Sequence, residues 1–322
     1  MHNKGYLYIL LATFFFSSME IALKLVVNQF NPIQINFIRF VIGSMVLWPM
    51  ALRSLKAANL KLHYFHLPFF AITGFLCVIV SMTFFQLAIV YAQASLVAIL
   101  FSCNAVFVIP LAHLFLKEKM TLISVSSLFL SLIGMYFIVN PEHIPNVLGV
   151  CFSLLAAITF ALYGILGQIG RRRYGFNGLV LTFFSFVVGC VEMFMLMLLS
   201  HVPAIADAIT QMGLTDFANI PFVKGVTWNS IPSLIYLGVF VTGLGYSLYF
   251  IAMDETSAST ASITFFIKPA LAPIMAAFIL GDALHENTVV GITFIVIGSC
   301  LTFIVPGFQQ YHQHHTHSHQ YQ

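Results

Sequence analysis

Residues 257–280 read SASTASITFFIKPALAPIMAAFIL, a run of small and apolar residues whose single charge, Lys268, stands at its middle. About 20 such residues are enough for a helix to cross the hydrocarbon core of a bilayer. A lysine at that depth costs about 2.5–3.5 kcal/mol on insertion scales, and from mid-span its stem has the furthest to go to reach water. Pro269 follows directly and Pro273 comes one turn later. Each removes a helix hydrogen bond and can bend the helix. The stretch therefore predicts a broken membrane helix holding a buried cation.

Outward from it, breaking the chain at charged and Pro-, Asn- or Gly-rich stretches gives nine more apolar segments. They cover approximately 5–27, 32–51, 67–90, 94–116, 121–139, 147–169, 178–201, 231–252 and 287–306. The 322 residues are 60% hydrophobic and 7% charged, against about 25% charged in an ordinary soluble domain. So few charges cannot clothe a soluble surface, and lipid is the solvent that fits. The expected fold is all-α and integral to the membrane. The first segment lacks a small-x-small cleavage site and reads as a retained helix. Cys77, Cys103, Cys151, Cys190 and Cys300 all lie in apolar runs without CxxC spacing and read as small apolar residues.

Basic residues orient the segments. With a cytoplasmic N-terminus, that side holds Lys4, Arg53, Lys56, Lys61, Lys117, Lys119, Arg171, Arg172 and Arg173, against Lys224 on the other. Such asymmetry is the positive-inside signature. An even number of spans then returns the C-terminus to the cytoplasm, and the expected location is the inner (plasma) membrane. Trp48 and Trp228 suit interfacial anchors. The one long connection, 202–230, is amphipathic and lies on the opposite side. Residues 307–322 form a His-rich tail. With no acid or thiolate nearby to close a site, it reads as a disordered segment, and neither a resident metal nor any other cofactor is expected.

The second half echoes the first. Gly5 to Phe16 matches Gly149 to Phe160, with Leu-Leu-Ala at 10–12 and 154–156. Asn31 to Gly43 matches Asn177 to Gly189. From 85 onward a constant shift of 164 aligns Ala94-Ser95 with Ala258-Ser259, Phe101 with Phe265, and Ile133-Gly134 with Ile297-Gly298. That last stretch has ten identities in 55 positions, which in apolar helices decides nothing alone. Agreement of helix count, loop placement and orientation strengthens it. Five spans per half force opposite insertion, the inverted-repeat plan of secondary transporters, with substrate held near the midplane. The predicted units are 1–140 and 141–306, followed by the tail.

These features resemble the ten-helix drug/metabolite transporter superfamily, in its EamA-type branch of two tandem domains, over roughly residues 5–305. The resemblance is carried by Arg39-Phe40 and by the small-residue turns Ala94-Ser95 and Ser257-Ala258-Ser259. It is also carried by Leu116-Lys117-Glu118 and Leu280-Gly281-Asp282, and by Gly134 and Gly298. Asp282 departs from the family's frequent Glu, and loop 202–230 is unusually long. The resemblance implies a solute carrier without indicating a substrate.

Five charges fall within spans: Glu20, Lys24, Arg39, Glu192 and Lys268. Lys268 either lines a site for a polar solute or serves as an ion-pair partner of Glu20 or Glu192. The repeat sets Asn104 opposite Lys268, as a substrate ligand or an interhelical hydrogen bond. Thr13, Ser17, Glu20 and Lys24 share one helix face through their 4, 3, 4 spacing. Glu20 is a candidate for substrate contact or proton coupling, with a local pair to Lys24 as the bland reading. Arg39 shares a face with Asn36 and Gly43, and Glu192 is a second coupling candidate. Tyr246, Tyr249 and Phe265 are candidates to stack on a substrate. The five charges sum to +1, or to zero if Lys24 reaches the interface. Such a cavity suits a carboxylate or zwitterion better than a bare cation.

No HExxH, GxSxG or paired-aspartate pattern is present, so an enzyme is not expected. No P-loop, like-charge ring or basic nucleic-acid-binding face appears either. The expectation is a monomeric carrier of a small polar metabolite, an amino acid or organic anion, moved by alternating access and in the export direction. Its partners are the small-molecule substrate, membrane lipid and a coupling proton or ion. A multidrug or lipid-linked-sugar transporter of the same fold, and a membrane scaffold or receptor, remain as alternatives.

Overall fold

In the computed structural model, residues 2–117, 122–139, 146–256, 261, 263–298 and 300–301 are described, and no strand occurs among them. Seven helices are long and apolar enough to cross a membrane. They are α1 (Lys4–Val26), α2 (Pro32–Ala57), α3 (Tyr64–Tyr91), α4 (Ala94–Leu116), α6 (Val147–Tyr174), α7 (Gly178–Leu199) and α8 (Ile231–Met253). Between and after them run α5 (Leu122–Val139) and α9 (Ile263–Leu280), then the shorter apolar helix α10 (Glu286–Gly298). The predicted segments are recovered within a few residues at most ends. The exceptions are α2 and α6, which continue to Ala57 and Tyr174 and carry their basic residues on helix rather than loop. The turn Ser257-Ala258-Ser259, Glu118 and the His-rich tail fall outside the described residues.

Local chemistry sets the helix ends. Asn31 accepts hydrogen bonds from Ile33 N and Gln34 N at the start of α2, where Pro32 occupies the first turn. Asn177 does the same for Val180 N at the start of α7. Asparagine is among the preferred N-caps, and proline costs nothing in a first turn whose N–H would be orphaned anyway. Gly175, with φ +74°, closes α6 by donating to Arg171 O.

Interior breaks recur in pairs. α3 passes through π-helix over Phe75–Ser81 and α8 over Tyr236–Leu244. Wider turns of this kind free backbone carbonyls, and they gather at functional positions. Val78 O takes up Asn36 Nδ2 at 2.8 Å, and Leu237 O takes up Thr242 Oγ1 at 2.8 Å. α1 breaks at Ser18 and α4 at Cys103.

Packing follows an exchange rule. α1 packs on α8 and α9, as α6 packs on α3 and α4; α2 packs on α8, as α7 packs on α3. α2 meets α7 and α4 meets α9. α5 meets α10, with Ser127 Oγ donating to Gly298 O at 2.5 Å. Swapping the first five helices for the last five maps these pairings onto one another. Glycines permit the tight crossings. A Cβ on Gly74 would stand 2.6 Å from Ser185 O and 2.7 Å from Gly189 N. The exchanged crossing sets Gly43 of α2 against Gly238 of α8, where a Cβ on Gly43 would stand 2.5 Å from Thr242 Cγ2 and 3.5 Å from Gly238 O. Outward-facing Leu10, Leu122 and Phe278 are highly exposed, as a lipid-facing surface requires.

Loop 202–230 folds onto the bundle. It contains the short helix Pro203–Gln211. Asn31 Nδ2 donates to Asp216 O at 2.8 Å and Gln34 Nε2 to Lys224 O at 2.8 Å, holding the loop on α2.

Candidate functional site

The polar face predicted on α1 turns inward: Thr13 is 3% exposed, and Ser17 and Glu20 are fully buried. The break at Ser18 puts that hydroxyl 2.6 Å from Tyr236 OH at the head of the α8 π-segment. Immediately after the break, Glu20 reaches α9. Its Oε1 lies 2.8 Å from Lys268 Nζ, with both side chains almost wholly buried. The contact is an ion pair without the alignment of a hydrogen bond, because neither carboxylate oxygen has a hydrogen-bond partner. Pro269 has no N–H to donate toward Phe265 O, so α9 is weakened beside its own cation.

Glu20 does not pair with Lys24, its i+4 neighbour. Lys24 Nζ donates instead to Ile89 O and Ala92 O, each at 2.7 Å. These are orphan carbonyls at the C-terminal end of α3, the negative end of a helix dipole. The local-pair reading of Glu20 is thereby corrected: Lys24 caps a neighbouring helix, and Glu20 serves Lys268. Nearby, Asp282 Oδ2 accepts from Ser95 N at 3.0 Å and Ser95 Oγ at 2.8 Å, capping α4.

Arg39 is 1% exposed. Its Nε and Nη2 both donate to Asn36 Oδ1, at 3.2 and 3.0 Å, which accounts for the shared face read from the sequence. Its other close partners are sulfurs, Met19 Sδ at 3.3 Å and Met82 Sδ at 3.2 Å. The guanidinium carbon lies 4.8 Å from the Phe40 ring centre. Among the described residues it meets no carboxylate at ion-pair distance, so soft sulfur and π-electron density stand in for a counter-ion.

One cavity gathers these groups. Its polar lining is Arg39, Asn104, Thr242, Tyr246 and Lys268, and its apolar lining includes Phe16, Phe40, Phe101, Phe160 and Phe265 with Met19 and Met82. Space for the centre of a water molecule amounts to about 40 Å³ in it, against about 230 Å³ in the cleft lined by Tyr249. Asn104 Nδ2 donates to Phe101 O at 2.8 Å, and the residue lines the cavity. Lys268 Nζ sits 5.3 Å from the Phe101 ring centre.

Of the predicted site residues, Lys268, Asn104, Arg39, Tyr246 and Phe265 therefore share one wall. Glu20 reaches it only through Lys268. Tyr249 lines a separate cleft of about 230 Å³ with Tyr163, Gly164, Gly167, Gln168 and Arg171, beside α6, α7 and α8. Phe16 bridges the two, with ring centres 5.1 Å from Tyr246 and 6.4 Å from Tyr249. Glu192 lies apart from both linings, its Oε2 buried without a hydrogen-bond partner. The sequence reading missed Met19, Met82, Phe101 and Phe160. With 34 phenylalanines and 13 methionines, no spacing distinguishes cavity-lining members from lipid-facing ones. The one available signal was Phe101 matching Phe265 across the repeat.

The arrangement is a charged, aromatic-walled chamber inside an apolar helical bundle, the architecture of a multi-pass membrane transporter. The chain belongs to the EamA-like transporter family of the drug/metabolite transporter superfamily, whose model matches twice, over residues 3–140 and 147–304. It is 38% identical over 310 residues to an uncharacterized transporter of Clostridium kluyveri, covering 94% of this chain and 93% of that one. It is 24% identical to an uncharacterized transporter of Archaeoglobus fulgidus, over 92% of this chain and 97% of that one. Protein PagO of Salmonella typhimurium is 24% identical over 66% of this chain and 65% of its own length. A solved structure described only as a crystal structure of protein superposes with a TM-score of 0.63, covering 95% of this chain and 99% of that one. At 15% identity it speaks for the fold alone.

Proposed function

We propose that the protein is a secondary carrier that exports a small polar metabolite, an amino acid or organic anion, by alternating access. Ten spans form two halves of opposite insertion with both termini cytoplasmic. The observation that carries the reading is the pair of buried cations, Arg39 from the first half and Lys268 from the second, on one cavity wall. A buried cation is costly unless its charge is used. A chamber built by both halves is where a rocking motion would expose a solute first to one side and then to the other.

Polarity supports export. The cleft holding Tyr249 lies at the Arg171 end, the cytoplasmic end by the positive-inside rule. A solute would load there. At the opposite end the bundle is held by the Ser95–Asp282 bonds and the folded loop. Tyr249 and Glu192 remain candidates for entry and for coupling respectively.

The test is flux in proteoliposomes, screened over amino acids, organic anions and nucleosides. A Glu20→Gln/Lys268→Gln variant strands no charge, so it should fold and carry nothing. Full transport by that variant would remove the site from the mechanism. Failure of the wild type to move any solute would leave a membrane scaffold or receptor as the better reading.

A further inference from the structure

The charged groups around the cavity are not evenly disposed. Arg39 and Lys268 belong to its lining, and Glu20 does not. The carboxylate sits behind Lys268, fully buried, with neither oxygen hydrogen-bonded. Among the described residues, a solute entering the chamber therefore meets two cations at the wall and no anion. The remaining polar lining is neutral: Asn104, Thr242 and Tyr246. Thr242 already gives its proton to Leu237 O. Among the described residues no carboxylate waits on the wall to receive an ammonium group, so an amino acid would bury its positive end against like charge. Such juxtaposition discriminates strongly between partners.

The rest of the wall is phenyl rings, thioethers and Val241, suited to an apolar body and to a ring above all. A carboxylate would also find a favourable geometry in the Arg39 fork, whose present partners are one amide oxygen and two sulfurs. Charge-assisted bonds to carboxylate are stronger than any of these.

We propose that the cavity takes a monoanionic carboxylate with an aromatic or branched apolar body, and that Glu20 occupies Lys268 in its place when the site is empty. This rests on the carrier reading above. The ion pair is thus an internal stand-in for the substrate. With substrate bound, its carboxylate sits on Lys268 and Arg39; with substrate gone, Glu20 neutralises Lys268 so that the empty carrier can return across the membrane.

Three probes share a phenyl body and differ in charge: phenylacetate, phenylglycine and 2-phenylethylamine. Binding to purified carrier in detergent should favour phenylacetate over the zwitterion by about tenfold or more, with the amine weaker still. Acetate, which has the charge without the ring, should also bind weakly. Lys268→Gln should weaken phenylacetate by at least about 30-fold, the effect of deleting one side of a buried charge pair. Glu20→Gln should do the reverse and tighten it about tenfold, because an internal competitor has been removed. The same variant should lose net efflux from liposomes while keeping phenylacetate exchange when both faces are loaded.

Preference for the zwitterion or the amine overturns the proposal, as does absence of phenylacetate binding. Weaker binding in Glu20→Gln overturns the stand-in role. Should that variant fail to fold, the wild-type charge series still decides the substrate class, and trans-stimulation of wild-type efflux by phenylacetate decides the stand-in. Charge-selective binding without flux of any solute would sink the carrier reading and leave the site standing. Flux of a solute of another charge class would do the opposite.

Discussion

α1 and α6 occupy equivalent places in the two halves, yet their middles are opposite in character. α1 breaks at Ser18 and sends Glu20 into an ion pair. Carrying the Gly5–Gly149 register forward sets Gly164 of α6 opposite Glu20. A Cβ on Gly164 would meet nothing within 4 Å, and the residue borders the 230 Å³ cleft. The same comparison holds between α4 and α9, where Asn104 stands against Lys268. What the halves share is packing: glycines at crossings, asparagine caps, and π-segments in α3 and α8. Where they differ is in charge. The duplicated parts make the bundle and, through Phe16 with Phe160 and Phe101 with Phe265, part of the cavity's aromatic wall, while the charges sit at positions that have departed from the repeat.

Three pairs of variants and one single substitution would break or sharpen that contrast. Lys268→Ala should have the largest effect, about 3–5 kcal/mol in stability, because it strands a buried carboxylate. Asn104→Ala, its counterpart, removes only a bond to Phe101 O and should cost about 1 kcal/mol. Thermal melts of the detergent-purified protein would compare them, and equal losses would mean the two sites are not chemically distinct.

Next comes Gly74→Ala, whose added methyl runs into backbone of α7 and should cost about 1–3 kcal/mol. Gly43→Ala meets a threonine side chain and should cost less. The reverse order in the same melts would show that the two crossings yield differently from their drawn geometry. Third, Asn31→Ala and Asn177→Ala each delete an N-cap worth about 1 kcal/mol. Both amides also donate, Asn31 to Asp216 O and Asn177 to Ser54 Oγ, but Asn31 caps two N–H groups against one and should cost more. Last, Gly164→Leu fills an open cleft and should change stability by less than about 0.5 kcal/mol, while flux in liposomes falls sharply. Unchanged flux would exclude the cleft as the route to the cavity.

Much of this was legible from the chain. Apolar run lengths located the helices because lipid imposes a minimum length on each. Asn31-Pro32 and Asn177 announced two helix starts. Lys268 was conspicuous because a mid-span cation is expensive, and Asn36 and Arg39 share a face at one-turn spacing. The partner of Glu20 was not legible: sequence offers Lys24 at i+4, but the break at Ser18 and the open carbonyls of α3 give each residue a better partner. The π-segments left no mark, since an inserted residue in an all-apolar helix leaves the apolar pattern intact. Nor could phenylalanines at the cavity be told from those facing lipid, where burial costs a ring nothing.

The long loop is held to α2 through its own peptide carbonyls, those of Asp216 and Lys224. Any residue other than those two would offer the same oxygen. Exposed positions along Pro203–Gln211 can therefore change as long as the chain keeps its path, whereas buried Ala206 and Ile220 are held by packing. Gly225 is the fixed point on that path. With φ at +87°, a side chain there would collide with the Gln29 carbonyl, so one glycine fixes where the loop crosses the end of α1.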